Sequence, residues 1–157
     1  MAAFTAKVLT VSDGVWHGTR EDMSGVALAA AVEAVGGDVV DRVVCSDGAE
    51  TVAATLSSMA EGFSGLIVTT GGTGFAPRDQ TPEGTLVVID REAPGLAEAM
   101  RAVSPLGRLS RGVAGTLGTC LVLNTPGSPK GCVEQFNAVA DVVPHALALL
   151  AETPTEH

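Results

Sequence analysis

The residues best suited to chemistry lie in one stretch, residues 69–83, which reads TTGGTGFAPRDQTPE. Its glycines let a ligand approach backbone N–H groups, which can cradle a phosphate, while Thr73 adds a hydroxyl and Arg78 a planar cationic fork. Asp79 would repel a bare phosphate unless a divalent cation such as Mg²⁺ joins them. We interpret the stretch as an anion-binding loop, and the alternative is an ordinary tight turn. The pattern is neither GxGxxG nor GxxxxGKS/T, so neither a dinucleotide fold nor a P-loop accounts for it.

A second candidate ligand site is the turn at residues 124–131, which reads NTPGSPKG. Ser128 is a predicted N-cap with Pro129 at the first helical position, so free backbone N–H groups and the positive end of the helix dipole favour a phosphate there. Lys130 adds a charge to the first turn and is one of only two lysines in the chain. The alternative is a capped helix with a solvated lysine.

Acidic residues follow two other predicted strands. Asp13 can accept hydrogen bonds from the ring N–H and amino groups of a heterocycle, or it can cap a turn. Asp47 can bind a metal or cap the helix that follows, and its position alone favours the cap. The three histidines are scattered along the chain, so a histidine metal site or a Ser/His/Asp triad has little support.

These candidates are positioned by alternating strands and helices. Strands are expected at residues 4–12, 39–45, 66–70 and 120–124, and helices at residues 24–35, 51–59, 81–90, 94–103 and 129–150. Ser24 and Thr81 are the predicted caps of two of these helices, and Pro144 should kink or interrupt the last one. The alternation predicts an α/β protein with a parallel sheet covered on both faces. Ligands bind beyond the carboxyl ends of such strands, so the polar residues there should converge.

Length and charge restrict the function further. The chain has 157 residues, 46% of them hydrophobic, and a formal net charge of −9. We expect a single domain over residues 1–157, and the charge argues against nucleic acid and anionic membranes as partners. No apolar run approaches the roughly 20 residues that span a bilayer, and no signal peptide precedes Phe4, so a cytoplasmic protein is expected. The cysteines have no CxxC spacing and should be small buried hydrophobic residues.

Five segments together resemble the MogA/MoaB family of molybdenum cofactor biosynthesis proteins. They are residues 10–13 (TVSD), 18–25 (GTREDMSG), 70–83 (TGGTGFAPRDQTPE), 109–111 (LSR) and 124–131 (NTPGSPKG). The segments extend over nearly the whole chain in the family's order, and the GGTGFAPRD-TPE and PGSPKG stretches are highly specific. The resemblance implies a three-layer α/β/α sandwich with a mostly parallel central sheet, assembled as a trimer or sometimes a hexamer.

The same resemblance implies an activity. Members bind molybdopterin and transfer AMP from Mg-ATP to its terminal phosphate, releasing pyrophosphate, and a downstream molybdenum insertase takes the adenylylated product. Asp47 and Asp79 match the catalytic acidic residues, which would hold Mg²⁺. With the candidates above, the expected substrate-binding residues are Ser12, Asp13, Ser24, Gly71, Gly72, Thr73, Gly74, Arg78, Ser110, Pro126, Gly127, Ser128 and Lys130.

The chain departs from the family pattern in two places. Residues 46–48 read Ser-Asp-Gly where relatives commonly have Pro-Asp-Glu, which leaves one carboxylate fewer near the expected metal. Thr125 replaces a more common leucine. A non-catalytic molybdopterin-binding or scaffold protein of the same fold is the main alternative, although retention of both Asp47 and Asp79 favours the enzyme. A CinA-like pocket is disfavoured because those proteins typically carry a GGLGPT-x-DD loop.

Overall fold

The computed structural model describes residues 2–153 as alternating strands and helices around one sheet. The six strands are β1 (Phe4–Val11), β2 (Gly37–Cys45), β3 (Leu66–Thr70), β4 (Arg91–Glu92), β5 (Ala114–Leu117) and β6 (Cys120–Thr125). The helices are α1 (Asp13–Trp16), α2 (Met23–Ala34), α3 (Ala49–Ala60), α4 (Thr81–Val88), α5 (Pro94–Arg101), α6 (Pro129–Asn137) and α7 (Val143–Leu150). Short 3₁₀ turns lie at Pro105–Leu109 and Ala140–Val142.

The sheet has the strand order β2-β1-β3-β6-β5-β4. Strands β2, β1, β3 and β6 are mutually parallel, whereas β5 pairs antiparallel with β6 and β4 antiparallel with β5. The parallel strands are in register at their carboxyl ends, because Thr10 pairs with Thr70 and Thr70 pairs with Thr125. The loops that follow these strands therefore leave the sheet at one edge.

Alternate residues of the central strands pack into separate cores on the two faces of the sheet. Leu66 and Val68 lie in the core that includes Leu28 of α2 and Phe136 of α6. Ile67 lies in the core on the opposite face with Leu56 of α3. A strand covered on both faces buries the side chains at every position, and β3, with three apolar residues followed by two threonines, is buried throughout. The predicted three-layer α/β/α sandwich is confirmed.

Two predicted helix caps are wrong. Asp22, rather than Ser24, is the N-cap of α2, and its carboxylate accepts the backbone N–H of Gly25 at 3.0 Å. Thr81 lies inside α4, which has Gln80 as its N-cap, and the Thr81 hydroxyl donates instead to the carbonyl of Gly71 at 2.9 Å. A tertiary partner thus displaced the local capping bond in the second case. The predicted cap of α6 is confirmed, since the Ser128 hydroxyl accepts the Gly131 N–H at 2.9 Å.

The structure adds elements that the sequence patterns did not predict. Helix α1 lies within the expected loop after β1, and β4 and β5 extend the sheet with antiparallel strands of two and four residues. The interruption predicted near Pro144 is present, but it begins earlier: α6 ends at Asn137, and Pro144 lies in the first turn of α7, where proline is tolerated.

Two composition-based expectations have structural outcomes. The three cysteines are buried, as expected, and burial raises the pKa of each thiol. Within residues 2–153, none of the helices has the length and apolar content needed to cross a membrane.

Candidate functional site

A cavity of about 1020 Å³ lies at the carboxyl edge of the parallel strands. Its walls come from the loops that follow β1, β2, β3 and β6, together with the 3₁₀ turn Pro105–Leu109. Of the fifteen residues predicted for the site, all but Asp13 and Arg78 line this cavity. The convergence of strand ends follows from the parallel register described above, and it places the two predicted ligand loops, residues 71–74 and 126–131, around one space.

The glycine loop, residues 71–74, has a backbone conformation that requires glycine. Gly71 has φ of +100° and Gly72 has φ of +71°, which is the left-handed region. A Cβ on Gly71 would collide with the carbonyl oxygen of Val11, and one on Gly72 would collide with the hydroxyl of Thr81. The loop is held along its length, since the Gly71 N–H donates to the carbonyl of Thr125, the Thr81 N–H to the carbonyl of Gly72 and the Arg111 N–H to the carbonyl of Thr73. Its path is therefore fixed by neighbouring elements.

The middle of the glycine loop presents free donors. The backbone N–H groups of Gly72, Thr73 and Gly74 have no acceptor among residues 2–153. All three residues line the cavity. Successive N–H groups without protein acceptors form the type of concavity that binds phosphate oxygens, so the arrangement fits the anion-binding interpretation of this loop.

Asp13 and Asp47 join the loops that follow β1 and β2. The backbone N–H of Asp13 donates to Oδ2 of Asp47 at 2.9 Å, and the N–H of Asp47 donates to Oδ1 of Asp13 at 3.2 Å. Burial is the largest effect on Asp47 and raises the pKa of its carboxyl. Its Oδ1 lies 3.2 Å from the position that a Cβ on Gly72 would occupy, so the carboxylate is directed at the glycine loop.

Arg78 is paired with Asp13 instead of lining the cavity. Its Nε and Nη2 donate to the two carboxylate oxygens of Asp13 at 2.6 and 3.0 Å, and Nη2 also donates to the carbonyl of Asp47 at 3.0 Å. The hydrogen bond from Arg78 lowers the pKa of Asp13. Roles for Arg78 in holding phosphate and for Asp13 in holding a heterocycle remain predictions, and in this structure the two side chains neutralise each other.

Asp79 lies on the other side of the glycine loop. Its Oδ2 accepts the backbone N–H of Ala76 at 3.0 Å and stands 2.9 Å from the position of a Cβ on Gly74. Asp79 and Asp47 both line the cavity, and the charge of Asp79 contributes to the raised pKa of Asp47. The two predicted metal-binding carboxylates are thus close enough to interact electrostatically.

These two carboxylates fit Mg²⁺ but not a site made by protein ligands alone. Among the described residues no group of three or more His, Cys, Asp or Glu side chains is arranged to hold a metal ion. Mg²⁺ usually keeps several waters and binds through one or two carboxylates together with substrate phosphates. Asp47 and Asp79 supply that number of carboxylates beside the free N–H groups of residues 72–74, so any Mg²⁺ here would depend on a substrate phosphate for part of its coordination.

Arg111 is a structural residue of the site that the sequence reasoning missed. Its guanidinium donates to the carbonyls of Gly74 at 2.8 Å and Asp79 at 2.7 Å, and to the carboxylate of Glu83 at 2.6 Å. Its backbone N–H donates to the carbonyl of Thr73 at 2.9 Å. Arg111 therefore holds both ends of the segment between the glycine loop and Asp79. The sequence did contain an indication of this role, because Arg111 belongs to the LSR segment that resembles the family and directly follows the predicted Ser110.

The turn after β6 presents the start of α6 to the cavity. Pro126, Gly127, Ser128 and Lys130 line the cavity wall. The Lys130 amino group is 3.8 Å from Oε1 of Glu134, and its side chain is 88% exposed. Such a long, exposed contact is weak, so the lysine charge remains available to a ligand.

A glycine loop and a helix N-terminus at the carboxyl edge of a parallel sheet are typical of α/β proteins that bind phosphorylated ligands. The family described as the probable molybdopterin binding domain matches residues 7–153, and the chain belongs to this family.

Two curated proteins illustrate the relationship. The molybdenum cofactor synthesis protein cinnamon of Drosophila melanogaster is 35% identical over 158 residues, which cover 97% of this chain but only 26% of cinnamon. This chain therefore spans about a quarter of that much longer protein. The molybdopterin adenylyltransferase of Helicobacter pylori strain J99 is 35% identical over 153 residues, covering 91% of this chain and 85% of the relative.

A solved structure has the same architecture. The molybdopterin biosynthesis enzyme MoaB of Thermus thermophilus superposes with a TM-score of 0.89 at 43% identity, over 98% of this chain and 99% of that one.

Proposed function

We propose that this protein is a molybdopterin adenylyltransferase, which transfers AMP from ATP to the terminal phosphate of molybdopterin and releases pyrophosphate. The observation that carries the proposal is the position of Asp47 and Asp79, whose carboxylates lie against opposite parts of the glycine loop in one cavity. A binding protein would not need two carboxylates beside a phosphate cradle, because they repel phosphate unless a cation is shared. The similarity to the H. pylori adenylyltransferase along most of both chains supports the same activity.

In the proposed reaction an oxygen of the molybdopterin phosphate attacks the α-phosphorus of ATP. A new P–O bond forms there, the bond between the α-phosphorus and the bridging oxygen breaks, and pyrophosphate leaves with that electron pair. The free N–H groups of residues 72–74 would orient the phosphates, and Asp47 and Asp79 would hold Mg²⁺. When bound, Mg²⁺ would neutralise negative charge on the phosphates. Lys130 and the start of α6 would hold another anionic group of a substrate.

Asp47 is suited to this role by its surroundings. The Asp13 N–H fixes Oδ2, which leaves Oδ1 beside Gly72. Burial raises the pKa of Asp47, which means that the charged form is poorly solvated and gains from a nearby cation. Arg78 helps indirectly, because by pairing with Asp13 it neutralises the acidic neighbour of Asp47.

The glycine at position 48, where relatives commonly have glutamate, has a backbone conformation that favours glycine. Gly48 has φ of +119°, outside the range that glutamate adopts readily, so the loop has adapted to glycine. With one carboxylate fewer, we expect the enzyme to need more Mg²⁺ than relatives with Pro-Asp-Glu, while its substrates stay the same.

The remaining parts of the proposal concern assembly and context. We expect a cytoplasmic homotrimer whose adenylylated product passes to a molybdenum insertase. Phe75 and Val87 are 70% and 74% exposed in the single chain and lie outside the cavity wall, which supports an assembly that covers apolar surface.

The decisive experiment is an assay of AMP transfer from ATP to purified molybdopterin, with and without Mg²⁺. We expect adenylylated molybdopterin and pyrophosphate to form in equal amounts and only when Mg²⁺ is present. If molybdopterin binds but no AMP is transferred at any Mg²⁺ concentration, the protein is the non-catalytic molybdopterin-binding alternative.

A further inference from the structure

The cavity wall carries few positive charges. Among the described residues that line it, only Arg20 and Lys130 are cationic, whereas four carboxylates belong to Glu21, Asp47, Asp79 and Glu134. A substrate with several phosphate charges must be held against this acidic background, in a protein whose net charge is −9. Each cation in the wall therefore matters for binding.

The arginines expected near the phosphates are engaged elsewhere. The guanidinium of Arg78 donates to the carboxylate of Asp13 and to the carbonyl of Asp47. The guanidinium of Arg111 donates to the carbonyls of Gly74 and Asp79 and to the carboxylate of Glu83. Neither of them lines the cavity. Arg20 differs from both, because within residues 2–153 its side chain has no hydrogen-bond or ion-pair partner, and it does line the cavity.

The backbone of Arg20 is fixed by hydrogen bonds, although its side chain has no partner among the residues that the structure describes. The N–H groups of Thr19 and Arg20 both donate to the carbonyl of Gly14, at 2.9 and 3.2 Å. The side chain also passes close to Gly14: a Cβ on that glycine would stand 3.3 Å from Cβ and 3.7 Å from Nε of Arg20. The missing side chain at position 14 thus gives room for the arginine stem.

The segment after Arg20 is fixed as well and leads toward Lys130. The Asp22 carboxylate accepts from Thr10, from the Gly25 N–H and from Arg42, so it is not free to capture Arg20. Two residues after Asp22, the backbone carbonyl of Ser24 accepts a hydrogen bond from the thiol of Cys132, in the first turns of α6, at 3.6 Å. The loop with Arg20 and the helix with Lys130 are therefore neighbouring parts of the cavity wall.

We propose that Arg20 binds a phosphate group of a substrate, and so fills the role that the sequence assigned to Arg78. The inference rests on the proposed function for the identity of the substrates, ATP and molybdopterin. A guanidinium has a planar fork of donors that matches two phosphate oxygens, whereas the amino group of Lys130 acts as a point charge. Arg20 supplies the bidentate contact, and binding orders its side chain.

The test is calorimetric titration of the full chain with inorganic pyrophosphate, ATP and molybdopterin, each added separately, and with adenosine as a phosphate-free ligand. The proteins are the wild type, Arg20→Ala, Arg20→Lys and the control Arg91→Ala. Arg91 is an exposed residue of β4 outside the cavity wall, so its loss changes the net charge equally. Circular dichroism verifies that each variant is folded.

We expect Arg20→Ala to weaken pyrophosphate and at least one substrate about tenfold, with Arg20→Lys recovering part of the affinity and Arg91→Ala unchanged. Adenosine binding should be the same in all four proteins. The substrate that is weakened, ATP or molybdopterin, identifies whose phosphate Arg20 contacts.

The outcomes separate this inference from the proposed function. If the wild type transfers AMP and Arg20→Ala binds all three phosphorylated ligands normally, the role of Arg20 is overturned and the adenylyltransferase proposal stands. If the wild type transfers no AMP, but Arg20→Ala binds pyrophosphate more weakly than the wild type does, the phosphate site stands and the transferase proposal fails. If Arg20→Ala and Arg91→Ala lost the same amount of affinity for the phosphorylated ligands, the effect would come from the change in net charge and the inference would be overturned.

Discussion

Asp13 and Asp47 each donate a backbone N–H to the other's carboxylate, across the ends of β1 and β2. This reciprocal pair fixes the direction of the Asp47 side chain from the first residue of α1. Arg78 closes the arrangement by binding the Asp13 carboxylate and the Asp47 carbonyl. The consequence is that one oxygen of Asp47 is directed at the glycine loop, where the proposed chemistry occurs.

Replacing either proposed metal-binding acid should remove most of the activity while sparing the fold. We expect Asp47→Asn and Asp79→Asn each to cut AMP transfer by orders of magnitude, because each removes a charge from the Mg²⁺ site. Asparagine keeps an acceptor oxygen for the Asp13 or Ala76 N–H, so unfolding in urea should change little. Asp38→Asn, an exposed acid of β2, is the control for charge. Near-normal turnover of a site variant at limiting Mg²⁺ would remove that residue from the metal site.

Lys130→Ala should weaken substrate binding more than it slows the bound reaction. Among residues 2–153 the amino group has only a long contact to Glu134, so its charge is available to a substrate phosphate or carboxylate. Since that charge is partly solvated, we expect affinity to fall about five- to thirtyfold, without abolition. Separate titrations with ATP and molybdopterin measure the effect. Unchanged affinity for both would make Lys130 a solvated residue on a capped helix.

Arg111→Lys should lower both stability and kcat. Lysine cannot donate at once to Gly74, Asp79 and Glu83 as the branched guanidinium does, so the segment that carries Asp79 loses its support. Loss of charge-assisted bonds of this kind costs about 2 kcal/mol, measured as the free energy of unfolding in urea. If Arg111→Lys lowered stability and left kcat and KM unchanged, Arg111 would have no part in positioning Asp79.

The Asp13–Arg78 pair should make stability depend on pH in one direction. Hydrogen bonding from Arg78 lowers the pKa of Asp13 in the folded state, so this contribution is present above the ordinary aspartate pKa of about 3.9 and is lost as pH falls through the lowered value. Arg78→Ala should therefore destabilise the protein at pH 7 and lose this difference from the wild type at low pH. Urea unfolding from pH 7 down to about pH 2 measures it, with Arg91→Ala as control. A difference independent of pH would show that Arg78 stabilises the fold by packing instead.

The protein should sediment as a homotrimer at micromolar concentration. The motivation is the family resemblance together with exposed apolar side chains such as Phe75, Val87 and Val26. Analytical ultracentrifugation at several concentrations gives the mass directly. A monomer would contradict the assembly without affecting the fold.

Local chemistry allowed the sequence to determine much of the fold. The strand β3 is a run of five apolar or β-branched residues that ends at glycines, and α6 begins with a serine cap and a proline. Such signals act between neighbours in the chain, so they are readable without the tertiary structure. The short strand β5 has no such signal, because Ala-Gly-Thr-Leu becomes a strand only by pairing with β6.

The sequence by itself identified thirteen residues that line the cavity, since strand ends of a parallel sheet converge whatever the details of packing. Only the tertiary structure decided which partners those residues take. Arg78 binds Asp13, which lies 65 positions away in the sequence, and Arg111 binds Gly74, which lies 37 positions away. No local sequence pattern encodes contacts over such separations. A guanidinium binds whichever acceptors the folded chain presents, and each acceptor used within the protein is unavailable to a ligand. For that reason the sequence assigned phosphate binding to Arg78, whereas in the described part of the chain it is the side chain of Arg20 that lines the cavity without a protein partner.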